Sequence, residues 1–103
     1  MAAIELTGGN FEETIKGEGI VLVDFWASWC GPCQMQGPVV EELAKERTDI
    51  RVGKVNVDQE NALAAQFQVT NIPSLLFFKD GNLIRKEVGF HSMEEIEAII
   101  SSL

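Results

Sequence analysis

The sequence predicts an α/β fold: a central mixed sheet of five strands flanked by helices on both faces. Three observations carry this. Residues 20–25 and 74–78 are apolar at nearly every position, the pattern of strands covered on both sides. Strand-like and helix-like segments alternate up to residue 79, where Lys79-Asp80-Gly81-Asn82 has the composition of a tight hairpin turn. The only two cysteines, Cys30 and Cys33, stand where the first of these strands turns into a helix. A Cys-x-x-Cys at that place in a βαβ pattern is the cue for a redox site.

Taken in order, residues 4–6 alternate as a short edge strand. Asn10, followed by Phe11, Glu12 and Glu13, reads as a capped helix start with acids in the first turn, where the helix dipole favours them. Phe11 and Ile15 share one face of that helix, and Gly17 and Gly19 end it. The strand 20–25 follows. After the cysteines a helix runs to Arg47 with Met35, Val39 and Leu43 at helical spacing, and Pro38 inside it predicts a kink. Residues 51–57 form the next strand, and 61–68 a short Ala-rich helix with Leu63 and Phe67 inward. Ile72-Pro73 breaks the chain before strand 74–78, and 83–88 returns antiparallel. Ser92-Met93-Glu94-Glu95 is a capping box, opening a helix that lines one face with Ile96, Ile99, Ile100 and Leu103. The order β-α-β-α-β-α-β-β-α puts parallel units first and an antiparallel hairpin last.

Length and charge bound the rest. With 103 residues, the chain 1–103 is expected to form a single domain around one core. Sixteen acids against eight bases give a net charge of −8, which argues against a nucleic-acid partner. The N-terminus has neither a basic region nor an apolar core, so no signal peptide is expected, and no stretch is apolar enough to span a bilayer. A cytoplasmic location is the expectation, and there a close cysteine pair is catalytic or metal-binding more often than a structural staple.

The chemistry follows from placement. A thiol is a nucleophile only as its thiolate, and Cys30 lies where unpaired helix amides and the helix dipole stabilise an anion. Gly31 and Pro32 keep the turn tight. Cys33, one turn inward, is expected to be more buried. Cys30 would attack a disulfide and Cys33 would attack the resulting mixed disulfide from behind. The alternative for the pair is half a zinc site, but zinc wants about four ligands and only His91 and carboxylates remain; no metal and no cofactor are expected. Asp24 alternates with Leu22 and Ile20, so its side chain points to a face that is otherwise core. It is either a strand-end Asp reaching water, or a buried carboxyl whose raised pKa lets it take a proton from Cys33. Lys54, in a strand expected to neighbour this one, is its candidate charge partner. Trp26 reads as packing under the cysteine turn, Trp29 as part of a contact surface. His91 reads as solvent-exposed and is given no role.

At this point the chain resembles the thioredoxin family over nearly its whole length. The resemblance rests on Val-Asp-Phe-Trp-Ala-x-Trp-Cys-Gly-Pro-Cys at 23–33, Pro38, Lys-Val-Asn-Val-Asp at 54–58, Ile72-Pro73-Ser74, Phe-Lys-Asp-Gly at 78–81 and Val88-Gly89. Gln34 stands where a basic residue usually follows the second cysteine, Gln36-Gly37 is unusually polar and flexible, Asn71 replaces a frequent Gly and Ser74 a frequent Thr. The resemblance implies the thioredoxin fold, a monomeric protein-disulfide reductase recharged by a thioredoxin reductase, a cis-proline at Pro73 facing the cysteines, and the functional reading of Asp24.

Charge is absent from residues 25–40, 61–78 and 88–93. Parts of these windows are core, but Trp29, Gly31, Pro32, Ile72 and Gly89 fall in turns, where burial is less common. In the fold that the resemblance implies, these turns meet around the nucleophile as an uncharged platform for an extended client segment beside Pro73. Two other functions compete: a non-catalytic binding subunit, and an oxidant or isomerase of disulfides. The Gly-Pro between the cysteines resembles the reducing members.

Overall fold

Residues 20–25 become the centre of the sheet. In the computed structural model, which describes residues 2–103, the elements are β1 (Ile4–Glu5), α1 (Phe11–Ile15), β2 (Ile20–Trp26), α2 (Gly31–Glu46), β3 (Arg51–Asn56), α3 (Asn61–Gln66), β4 (Ser74–Lys79), β5 (Asn82–Val88) and α4 (Met93–Ser101). The sheet order is β1-β3-β2-β4-β5. β1 and β2 pair with β3 in parallel, while β4 pairs antiparallel with both β2 and β5.

Period-2 alternation sorts the side chains. Leu22, Val52, Leu75 and Phe77 point to one face and pack under α2 and α4, with Val40, Leu43, Ile96, Ile99 and Ile100. Val21, Val23, Phe25, Val55, Leu76 and Phe78 point to the other, where Leu6, Phe11 and Leu63 cover them. A ring cluster of Phe11, Phe67 and Phe78, with centroids 5.2 to 5.8 Å apart, joins α1 and the end of α3 to this second face.

Three local expectations are corrected. The parallel sequence of units stops at β3, because β4 runs against β2. The segment 57–73, with α3 inside it, returns to the same end of the sheet, so that β4 starts beside the end of β2 and runs against it. The inward stripe of α2 is Cys33, Gln36, Val40 and Leu43; Met35, about 200° around the helix from Cys33, is 62% exposed. The Asn10 side chain does not cap α1 but accepts from Thr7 N–H at 2.7 Å. The helix α2 is continuous through Pro38.

Elsewhere the turn chemistry matches its residues. The hairpin is a two-residue loop with Asp80 and Gly81 at φ 52° and 86°, both left-handed as a type I′ turn requires. Ser92 and Glu95 make both bonds of the capping box. Lys86 Nζ donates to the carbonyls of Phe67 and Gln68 at 2.8 and 2.9 Å, holding the C-terminus of α3 against β5.

Gly53 is the tightest point of the sheet. It is paired with Ile4 on one side and Val23 on the other, and a Cβ there would overlap the Leu6 side chain and come within 3.3 Å of the Ile4 carbonyl. Gly53→Ala should therefore destabilise the fold by about 1–3 kcal/mol through overpacking, read as a lower urea midpoint. An unchanged midpoint would mean that β1 yields freely.

Candidate active site

The sheet register builds the site. Phe25 of β2 lies opposite Ser74 of β4, and Ser74 opposite Val88 of β5. The turn after β2, the residues before β4 and the residues after β5 therefore emerge at one end of the sheet. These are the cysteine turn, Ile72-Pro73 and Gly89. Ile72-Pro73 is a cis peptide bond. Cys30 Sγ lies 3.7 Å from the Ile72 carbonyl oxygen, and Gly89 N–H donates to the Pro73 carbonyl at 2.8 Å.

Cys30 and Cys33 are joined in a disulfide, with their Cα atoms 5.2 Å apart. Cys30 is the N-cap of α2, and its Sγ accepts the Cys33 N–H at 3.2 Å. Sulfur thus occupies the place where a Ser or Asp oxygen ordinarily satisfies a first-turn amide. Pro32, within the first turn, has no N–H to leave unpaired. Gly31 has open space where a Cβ would be, so packing does not demand a glycine there. Cys30 is 6% exposed and Cys33 3%; Ala27, Trp26, Val57 and Ile72 pack around the pair.

Behind the cysteines, Asp24 is fully buried and neither carboxylate oxygen has a hydrogen-bond partner among the described residues. Burial pushes its pKa up to about 7, and the nearby Lys54 charge pulls the other way without cancelling that rise. Asp24 and Lys54 are neighbours in the β2–β3 register. The Lys54 ammonium, however, lies 3.7 Å from Glu41 Oε2 and 5.1 Å from the centre of the Trp26 ring. Its ion-pair partner is Glu41, a residue the sequence did not single out, and not Asp24. Glu41 also accepts the amides of Ala2 and Ala3 at 3.1 Å each. Partial burial opposes its ionisation, but those donors and Lys54 outweigh it and hold its pKa below the usual carboxylate range. Asp24, Cys33, Glu41, Lys54 and Trp26 line one cavity of about 360 Å³.

Around the cysteines the surface is apolar but not wholly uncharged. Trp29 is 70% exposed, and its ring N–H donates to Asp58 Oδ2 at 2.9 Å, so an acid stands at the rim. Exposed Val88 and Phe90 flank Gly89, and Ile72 is half-buried, packed against the cysteines. His91 is not solvent-exposed: its ring is largely buried, with Nδ1 2.8 Å from the Gly89 carbonyl and Nε2 3.4 Å from Glu87. No group of three or more His, Cys, Asp or Glu that could hold a metal ion occurs among the described residues.

A family model described as Thioredoxin matches residues 2–102. The chain is similar to a thioredoxin of Alicyclobacillus acidocaldarius subsp. acidocaldarius, 42% identical over 99% of this chain and 98% of that one. It is 46% identical to a thioredoxin of Staphylococcus haemolyticus over 97% and 96% of the two chains. A mutant thioredoxin from Halobacterium salinarum NRC-1 superposes with a TM-score of 0.90 at 39% identity, covering 97% of this chain and 88% of the other.

The buried carboxyl has a measurable signature. Its folded pKa of about 7 lies above the ordinary aspartate value of 3.8, so the folded state holds its proton longer than the unfolded one. Below pH ~3.5 both states are largely protonated and the ionisation of Asp24 costs almost nothing; as pH rises towards 7 that cost grows, reaching on the order of 4 kcal/mol. Asp24→Asn should therefore stabilise the fold by a few kcal/mol at pH 8 and by almost nothing at pH 3.5, in denaturation series at the two pH values. Equal effects at both would show that Asp24 titrates alike in the two states.

Proposed function

The chain belongs to the thioredoxin family and is a thiol–disulfide oxidoreductase working through the Cys30–Cys33 pair; from that premise we propose how its residues divide the reaction. Once reduced, Cys30 is the attacking thiolate. The observation that carries this is the Cys33 N–H aimed at Cys30 Sγ from the start of a helix of 16 residues. Donor and dipole together favour the anion. The thiolate attacks one sulfur of a client disulfide, forming a mixed disulfide and expelling the other client sulfur as a thiolate. Cys33 passes its proton to Asp24 across the cavity they share, and its sulfur attacks Cys30 Sγ. The second client sulfur leaves as a thiolate, and two electrons have moved to the client as the Cys30–Cys33 bond forms. A pKa near 7 suits Asp24 to accept that proton and give it up again near neutral pH. Lys54 tunes that pKa downward by its charge, and Gly31 and Pro32 tune the pair by keeping its turn short.

Protein disulfides are the substrate class of the family, and clients dock, on this reading, on Trp29, Ile72, Pro73 and Gly89. The N–H and C=O of Ile72 take no backbone partner among the described residues, which leaves them for an extended client segment to pair with as an added strand. Such pairing reads backbone rather than sequence and suits many clients. A thioredoxin reductase returns two electrons to the Cys30–Cys33 disulfide. Among the described residues no helix is long and apolar enough to cross a membrane; the cytoplasm, where thiols are kept reduced, is the compartment we propose.

Catalysed reduction of insulin by dithiothreitol tests the activity against a binding role. In the reduced protein, Cys30 should alkylate far faster than Cys33 near neutral pH, and Cys33→Ser should trap clients as mixed disulfides on Cys30. Equal alkylation rates would reverse the assignment. Asp24→Asn should slow release of the mixed disulfide while sparing the first attack, resolved by rapid-quench kinetics. Ile72→Asp should lower kcat/KM for insulin at least tenfold more than for a small aromatic disulfide; equal losses would remove the docking surface.

A further inference from the structure

Among the described residues, Gln36 is the one amide side chain that is completely buried. It sits on the inward stripe of α2, one turn after Cys33, where an apolar residue would fit the core without needing partners. Its amide is instead used at both ends. Nε2 donates to the His91 carbonyl at 3.0 Å, and Oε1 accepts the His91 N–H at 2.8 Å. One side chain thus closes a two-bond pairing with the main chain of a residue 55 positions away, as a neighbouring strand would.

The far side of that pairing is the docking surface. His91 Nδ1 lies 2.8 Å from the Gly89 carbonyl, Gly89 N–H is bonded to the Pro73 carbonyl, and the Ile72 carbonyl faces Cys30 Sγ. The contacts form a closed circuit: from Cys33 along α2 to Gln36, across to His91 and Gly89, on to Pro73 and Ile72, and back to Cys30. Residues 89–92 lie outside any helix or strand, and Gly89 has a left-handed backbone at φ 94°, so between Gly89 and the Ser92 cap the segment has no repeating main-chain hydrogen bonds of its own, only the His91 Nδ1 contact with the Gly89 carbonyl. We propose that Gln36 is a positioning residue for protein clients: its amide clamps residues 89–91 to the active-site helix, so that the client surface is formed before binding. This rests on the docking surface described above. A preformed surface spares each client the cost of ordering that loop, so the clamp acts on binding and not on the sulfur chemistry.

Gln36→Met keeps the volume and removes both bonds. Steady-state kinetics with insulin and with a small aromatic disulfide, on the full chain, read the result. The clamp predicts that KM for insulin rises about tenfold, the effect of losing roughly two neutral hydrogen bonds, with kcat and the small-disulfide rate within twofold of the parent. The His91 amide should also lose its protection from hydrogen exchange. Gln36→Leu, which removes both bonds with an apolar side chain of the kind the inward stripe of α2 already carries, should raise KM for insulin as Gln36→Met does, and it decides the matter if Gln36→Met does not fold. Equal losses on both substrates, or no change on either, would overturn the proposal. The docking surface fails separately, as equal losses for Ile72→Asp on the two substrates; if Ile72→Asp is selective for insulin and the Gln36 variants are silent, the surface stands and the clamp does not.

Discussion

Everything functional here depends on β4 running antiparallel to β2, with Phe25 opposite Ser74. That single register puts the end of β2 beside the start of β4, and the hairpin then returns the end of β5 to the same place. The cysteine turn, the cis Ile72-Pro73 bond and Gly89 meet because three strand ends coincide. Were β4 parallel, Pro73 would emerge about 20 Å away, a strand length from the cysteines. Gly53 belongs to the same arrangement from the other side, since its missing Cβ lets β1 and Leu6 close over β3.

The same sheet also carries a deliberate weakness. Asp24 takes a position whose strand neighbours of equal parity, Leu22 and Leu75, are completely buried, and its oxygens are left without donors. A domain is stable by only about 5–15 kcal/mol in total, so an uncompensated carboxylate at neutral pH is a large fraction of that. Lys54 stands next to it in register but is drawn off by Glu41 and by the face of Trp26. A full ion pair with Asp24 would stabilise the fold and also pull the carboxyl back towards its ordinary pKa, too low to hold a proton from a thiol. Glu41 is therefore as much a part of the electrostatic setting as Asp24 itself.

How much of this was legible in the sequence divides by range. The Cys-x-x-Cys junction, the covered strands, the Asp80-Gly81 turn and the Ser92 capping box were all readable, because each is written in residues within a few positions of one another. Asp24 was half legible: parity put it on the core face and the structure buries it there, whereas its part in the proton transfer belongs to the proposed mechanism and not to the fold. Partners 29 to 55 positions apart were not. Asp58 on Trp29, Gln36 on His91 and the direction of β4 follow only from the closed sheet. Met35 and Gln36 show the limit most plainly. Hydrophobicity turned Met35 inward, whereas the helix phase is set by Cys33, and that phase carries Gln36 into the core and Met35 out of it.

The fastenings around the cysteines are almost all independent of their oxidation state. Gly89 is held to Pro73 and His91 to Gln36 by main-chain and amide groups, and Trp29 to Asp58 by its indole. Among the described residues, apart from the disulfide itself, the polar contacts to cysteine sulfur are the Cys33 N–H and the Ile72 carbonyl, both at Cys30 Sγ, and the N–H donor serves a thiolate better than a disulfide, since charge-assisted bonds are the stronger ones. Opening the S–S bond therefore removes one covalent link and strengthens one hydrogen bond, while the turns around it keep their anchors. If clients dock here as proposed, a surface anchored in this way would present the same shape before and after electron transfer. Release would then come from the chemistry, as the client loses its covalent bond to Cys30, and not from a change in the shape that bound it.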